Sequence, residues 1–301
     1  MENGINVLSL FDGMSCGQIA LNRIGVKINN YYASEIDVNA IQVTQKNYPN
    51  TKQLGSVIDL DGSLYQNIDL LCGGSPCQNF SFAGKPKGMG TKCEIEILSL
   101  EHYLQLKNEG FEFEGQSYLF WEFMRILTET KPKYFLLENV KMTKKWQNVL
   151  SEAIGCRPIE INSSKFSAQN RPRLYWTNIP FTLPEENNTQ CIYDILEEGA
   201  EFNDNYANWM LNKWGDKRRL DAFFNAKGKA SCLTASMAKG QKATYCVNDD
   251  KKIHKFSALE CERLQTVPDN YTDGIANSHR FHMLGNGWTV DVIAHIFKGL
   301  L

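Results

Sequence analysis

Four short stretches of this 301-residue chain hold residues whose types and spacing can do chemistry. The first is G-G-S-P-C-Q-N-F-S, from Gly73 to Ser81, where Cys77 follows a proline at the end of an apolar run, among small residues that leave its surroundings open. Core packing accounts poorly for such a thiol. Once ionised it can attack an electrophilic carbon, although no adjacent histidine serves as its base, so neighbours in space or the substrate must set its pKa. Cys72, inside the apolar run, reads instead as an ordinary buried thiol. The second stretch is F-D-G-M-S-C-G, from Phe11 to Gly17. Gly13 and Gly17 permit close backbone approach, and a helix opening here would point free N–H groups at a carboxylate or phosphate. It is not G-x-G-x-x-G, so it fits a nucleotide-like cofactor without specifying which. Glu35, about 20 residues further on, stands where an acidic residue accepts hydrogen bonds from ribose hydroxyls; by itself it reads equally as a surface carboxylate. The third is E-N-V at 138–140, with Glu138 ending an apolar run. The fourth is Q-N-R-P-R, from Gln169 to Arg173, whose Arg171 and Arg173 point the same way in an extended segment and suit a phosphate or carbonyl oxygen. Standing alone, that arginine pair reads as a solvated turn.

Positioning these groups requires a frame, and the apolar pattern supplies one. Strands are expected at 5–11, 30–36, 69–74 and 134–140, with a further candidate at 173–179. Helices are expected from about Gly17 to Arg23, across Leu119, Phe120, Phe123, Ile126 and Leu127, at 257–265 behind a Ser257/Glu260 capping box, and at 289–300. Strand, helix and strand in succession imply an α/β fold with a doubly wound, mostly parallel sheet. Ligands bind such sheets outside the carboxyl ends of the strands, which brings Asp12, Cys77 and Glu138 to one edge. The segment 91–114 reads as an exposed amphipathic insertion, a solvated excursion. From about 181 to 255 the texture turns polar and irregular, marking a smaller domain between a 1–180 catalytic domain and a 256–301 segment that returns to it.

Composition bounds the class. Hydrophobic residues make up 43%, enough for a large core, and 32 basic against 34 acidic residues give a net charge of −2. No global positive field draws the chain to a polyanion, so any such site must be local. Nine scattered cysteines without a C-x-x-C pair suggest reduced thiols. The N-terminus lacks a basic and apolar leader and no run of about 18 apolar residues occurs, so a soluble cytoplasmic protein without membrane partners is expected. His279 and His282 form an H-x-x-H without acidic or cysteine ligands nearby, so no metal is expected.

Taken together, F-D-G-M-S-C-G, G-G-S-P-C-Q-N-F-S, E-N-V, Q-N-R-P-R, E-C-E-R-L-Q-T-V-P at 260–268 and G-N-G-W at 285–288 stand in the order of the sequence blocks of DNA cytosine-5 methyltransferases. The resemblance spans nearly the whole chain, at the size of compact bacterial and phage enzymes. The 119–127 helix and the G-N-G-W tryptophan are also similar to animal de novo cytosine methyltransferases. The resemblance implies a Rossmann-like methyltransferase fold, S-adenosylmethionine as cofactor, double-stranded DNA as partner, and a monomer in a prokaryotic or phage-infected cell. Cys77 becomes the nucleophile that adds to cytosine C6. Glu138 hydrogen-bonds the base N3 and amine, Arg173 lies near O2, and Arg171 supports the loop or a phosphate.

The resemblance further places the cofactor across Phe11, Asp12, Gly13 and Gly17, with Glu35 on its ribose, Ile36 at the adenine, Asn286 and Trp288 at the methionine end, and Pro76 and Leu119 as further contacts. One departure stands out. Where the family often has G-D-h, this chain has Gly55-Ser56-Val57, so Ser56 replaces an aspartate that bonds the adenine amine, with Val57 as the adenine-contacting hydrophobe and Asp59 a possible substitute. Residues 78–90 read as a loop closing over DNA, with Gln78, Ser81, Lys85 and Lys87 at the duplex. Recognition falls to 181–255, where K-W-G-D-K-R-R at 213–219 and Lys227, Lys229, Lys239 and Lys242 supply phosphate contacts and Thr234 belongs to the S-C-L-T-A element. Each lysine alone reads as a solvated side chain. Two rivals are an RNA cytosine-5 methyltransferase of the tRNA type and a catalytically silent DNA-binding paralogue. Retention of Cys77, Glu138 and Arg173 speaks against the second.

Overall fold

The run I-N-V-L-S-L has apolar residues at both parities, so a strand built from it must be covered on both faces. In the computed structural model, which describes residues 4–76, 89–185, 188–203, 224–239 and 244–301, this run is β1 (Ile5–Leu10), inside a seven-stranded sheet. The other strands are β2 (Ile28–Ser34), β3 (Lys52–Gln53), β4 (Leu70–Gly74), β5 (Tyr134–Asn139), β6 (Ile159–Asn162) and β7 (Pro172–Thr177). Their spatial order is β3-β2-β1-β4-β5-β7-β6. Pairs from β3 through β5 are parallel, and β7 runs antiparallel between β5 and β6. Strand order reverses between β1 and β4, which is where such sheets open a crevice at their carboxyl edge.

The helices are α1 (Cys16–Arg23), α2 (Val38–Asn47), α3 (Leu100–Asn108), α4 (Leu119–Thr130), α5 (Lys144–Ile154), α6 (Ala258–Leu264), α7 (Asn277–Asn286) and α8 (Val290–Phe297). Alternation along the strands divides them into two layers. Val7, Leu70, Cys72 and Leu136 pack with Ile19 of α1, Val43 of α2 and Ile293 of α8. Leu8, Leu10, Leu71 and Leu137 pack with Tyr103 of α3, Phe123 of α4 and Trp146 of α5. The Ser257/Glu260 capping box starts α6: the Glu260 N–H donates to Ser257 Oγ at 3.1 Å and the Ser257 N–H to Glu260 Oε2 at 2.9 Å.

One expectation changes. The 91–114 segment is not a solvated excursion, since Ile97, Tyr103 and Leu106 are buried in the second layer. Its acidic residues Glu94, Glu96, Glu101 and Glu109 are exposed and gave the segment a surface look. The 181–255 segment carries a small sheet of β8 (Phe224–Asn225), β9 (Tyr245–Val247) and β10 (Ile253–Lys255). Its described apolar residues, including Ile192, Ala230, Leu233, Met237 and Cys246, lie in the same cluster as Val7 and Tyr31.

Candidate active site

The turn leaving β1 is the first wall of the crevice. Phe11, Gly13 and Ser15 all have positive φ, at 56°, 58° and 63°; a left-handed phenylalanine is uncommon and belongs to sites where surrounding structure enforces it. The Gly13 N–H donates to Glu35 Oε2 at 2.7 Å, while Glu35 Oε1 accepts the N–H groups of Ile36 at 2.7 Å and Asp37 at 2.8 Å. A carboxylate accepts about four hydrogen bonds, so Glu35 keeps one acceptor direction, on Oε2. Beside it Ile36 is 69% exposed, and a Cβ built on Gly13 would meet nothing within 4 Å. An open glycine turn, a carboxylate with acceptor capacity and a bare apolar side chain fit the ribose and base of a nucleoside cofactor.

Other residues expected here divide. The Asp12 carboxylate turns inward, accepting the Tyr31 hydroxyl at 2.8 Å and the Ser15 hydroxyl, and burial pushes its pKa up to about 6. The expectation that this carboxylate converges with Glu138 is thereby corrected: it anchors the turn from beneath. Val57 is buried in the second layer, its carbonyl held by Arg125 Nη2 at 2.9 Å, whereas its neighbour Ile58 is 40% exposed. Ser56 Oγ accepts the Ile58 N–H at 3.2 Å and so caps its own turn. Leu119 opens α4 half-buried, and Asn286 is exposed at the end of α7.

The second wall is built from β4, β5 and β7. Glu138, at the end of β5 and 8% exposed, receives Arg173 Nε at 2.9 Å on Oε1 and the Trp288 indole N–H at 3.0 Å on Oε2. Asn139 Nδ2 donates to Ser75 Oγ at 3.0 Å and to the Ser75 carbonyl at 3.2 Å. That bond ties β5 to the segment ending at Pro76, one residue before Cys77. Cys77, Gln78, Ser81, Lys85, Lys87 and Lys242 lie outside the described residues, as do 213–219.

Arg171 and Arg173, alike in the sequence, have different tasks. Arg171 is buried, with Nη1 donating to the Leu233 carbonyl at 2.8 Å and Nη2 to the carbonyls of Gly285 at 3.0 Å and Gly287 at 2.9 Å. Its four Nη–H donors are taken by partners within the fold, which leaves no two-nitrogen fork for a phosphate. Cys232, whose position the sequence did not single out, lies between the pair: its sulfur is 3.3 Å from Arg171 Nη1 and 3.5 Å from Arg173 Nη2. Burial alone would raise this thiol, but the two guanidinium charges outweigh it and hold it below its ordinary value. By contrast burial pushes Cys16 and Cys72 up to about 12. Gln169 and Gln265 complete the hub. Gln169 Oε1 accepts the Leu233 N–H at 2.9 Å, its amide donates to Gln265 Oε1 at 3.0 Å, and the Gln265 amide donates to the Leu284 carbonyl at 2.7 Å. Their glutamine type was a faint signal, visible only once two distant blocks are known to touch.

Of the described lysines expected at DNA, Lys227 is exposed and ion-paired with Asp249, and Lys239 is exposed. Lys229 is half-buried, and its Nζ donates to the carbonyls of Ser167 at 3.0 Å and Asn188 at 3.2 Å. Thr234 is half-buried. No group of three metal-ligating side chains occurs among the described residues, and no described helix is long and apolar enough to cross a membrane.

Comparison with known proteins agrees with this architecture. A family model described as C-5 cytosine-specific DNA methylase matches residues 5–155 and 159–301. The type II methyltransferase M.Bsp6I of Bacillus sp. (strain RFL6) is 24% identical over 98% of each chain. The orphan methyltransferase M.SPRI of Bacillus phage SPR is 32% identical over 65% of this chain but 43% of its own length, so the chain spans less than half of that relative. Among solved structures, the S. pombe Dnmt2 methyltransferase has the same fold, with a TM-score of 0.69 at 16% identity over 98% of this chain and 99% of its own.

Proposed function

Because the chain belongs to the C-5 cytosine-specific DNA methylase family, we propose that it transfers a methyl group from S-adenosylmethionine to C5 of cytosine in duplex DNA. The observation that carries this reading is Glu138, a carboxylate at the carboxyl edge of the sheet whose two oxygens are held by Arg173 and Trp288, next to the strand that leads to Cys77. S-adenosylmethionine, when bound, would supply an electrophilic methyl group, its sulfonium leaving as a neutral thioether. Glu35 offers its remaining acceptor direction to a ribose hydroxyl and Ile36 its bare side chain to the adenine.

The remaining chemistry belongs to the chain. A base inside a duplex is out of reach of the crevice, so the target cytosine is extruded before reaction. The Cys77 thiolate adds to C6, forming a C–S bond and leaving electron density on C5, which becomes nucleophilic toward the methyl group. Glu138 hydrogen-bonds N3 and the exocyclic amine, and Arg173 the O2 edge, where charge develops as the thiolate adds. After methylation a base removes the C5 proton, the C–S bond breaks, and the thiolate leaves. Cys77 is thereby regenerated.

Methyl transfer assayed in parallel on unmethylated duplex DNA and on tRNA tests the reading, with Cys77→Ser as the variant. Transfer to DNA that disappears in Cys77→Ser, while calorimetry still detects cofactor binding, is the expected result. Activity on tRNA alone overturns the substrate, and transfer surviving in Cys77→Ser overturns the covalent route.

A further inference from the structure

Glu138 has a second holder, Trp288, which the family resemblance places at the methionine end of the cofactor but gives no role toward Glu138. Resting on the reading of the preceding section, we propose that Trp288 is the positioning residue for Glu138: its indole N–H, acting opposite Arg173, fixes the carboxylate that meets the cytosine N3 and amine. The bond is direct, from Nε1 to Oε2 at 3.0 Å, and each carboxylate oxygen is taken by a donor from a different element. A carboxylate held at one oxygen can still turn about its last torsion; donors at both oxygens remove that freedom.

The surroundings are shaped around this ring. The Trp288 backbone N–H faces the Cys16 thiol, at the first residue of α1, and acts to lower its pKa against the larger effect of burial. A Cβ on Gly17 would lie 3.6 Å from Cζ3 of the indole, and a Cβ on Gly74 would lie 2.9 Å from both Trp288 Nε1 and Glu138 Oε2. The latter distance is too short for any real side chain. Glycine at 74 therefore keeps the Trp288–Glu138 bond clear, and the indole occupies a slot between α1 and the end of β4. Phenylalanine would fill most of that slot. What tryptophan adds is a donor.

The test compares Trp288→Phe and Trp288→His in steady-state methyl transfer to unmethylated duplex DNA, with S-adenosylmethionine affinity measured by calorimetry. Phenylalanine keeps apolar bulk without the N–H, whereas histidine restores a ring N–H at the same bond distance from Cγ. Loss of a hydrogen bond to a charged group predicts a kcat about tenfold to hundredfold lower in Trp288→Phe, with cofactor Kd changed less than about threefold and Trp288→His at least about fivefold more active than Trp288→Phe. In a Glu138→Ala background, read by single-turnover transfer, Trp288→Phe should have less than about a twofold further effect. An unchanged kcat, a cofactor Kd that rises as steeply as kcat falls, or the same loss in both backgrounds each overturns the proposal. Wild-type transfer to DNA separates the two readings: its absence removes the proposed function, and its presence beside any of those three results removes only the role of Trp288.

Discussion

Asp12 shows how one residue of a recognisable motif can serve the site without facing it. Its carboxylate sits beneath the turn, held by Tyr31 and Ser15, and burial raises its pKa from 3.8 to about 6. The native state therefore binds this proton more tightly than the unfolded chain, a contribution fully present below pH 3.8 and lost as pH rises through about 6. Asp12→Asn removes the titration. Relative to wild type, its stability should rise by about 2 kcal/mol between pH 4.5 and pH 7.5, followed by urea denaturation at each pH; a difference independent of pH would contradict the assignment.

At the scale of elements, α3 and α4 are joined by a buried charge. Glu122 of α4 receives Lys107 of α3 at 2.6 Å, Arg125 at 2.6 Å and the Tyr103 hydroxyl. Arg125 extends the network to the carbonyls of Val57 at 2.9 Å and Leu60 at 2.9 Å, which shapes the segment following Ser56. The insertion is thus a brace for the cofactor side of the crevice. Glu122→Gln keeps the volume but leaves Lys107 without its carboxylate and Arg125 with Glu129 alone, at an expected loss of about 1.5–3 kcal/mol in urea denaturation, together with weaker cofactor binding by calorimetry. A stability within about 0.5 kcal/mol of wild type would show that water, not Glu122, satisfies those cations.

For the molecule as a whole, Arg171 joins segments far apart in the chain: β7, the 232–234 segment and the 285–287 turn before α8. Lysine at this position carries its donors on one nitrogen and cannot span three carbonyls. Arg171→Lys should therefore lower stability by about 2–4 kcal/mol, because buried carbonyls lose their donors, and should reduce turnover through Arg173, which shares the Cys232 contact. A stable, fully active Arg171→Lys protein would show that the hub is dispensable.

The sequence by itself determined the central strands, several of the helices and most of the reactive groups, but not α2, α5 or β6. Apolar runs of both parities specify doubly covered strands, turn residues end them, and the Ser257/Glu260 pair starts a helix, all through interactions within a few residues. Its blocks also sufficed for the family, because their order follows the order of strands. The tertiary structure decided direction and partnership. Arg171 and Arg173 are the same residue type two positions apart, yet one lies against three carbonyls and the other against Glu138. Lys229 met two backbone carbonyls, 91–114 joined the core through Ile97, Tyr103 and Leu106, and Cys232 acquired two cationic neighbours. Each of these outcomes depends on a contact between residues tens of positions apart, and no local pattern encodes which side chain will meet which across a folded sheet.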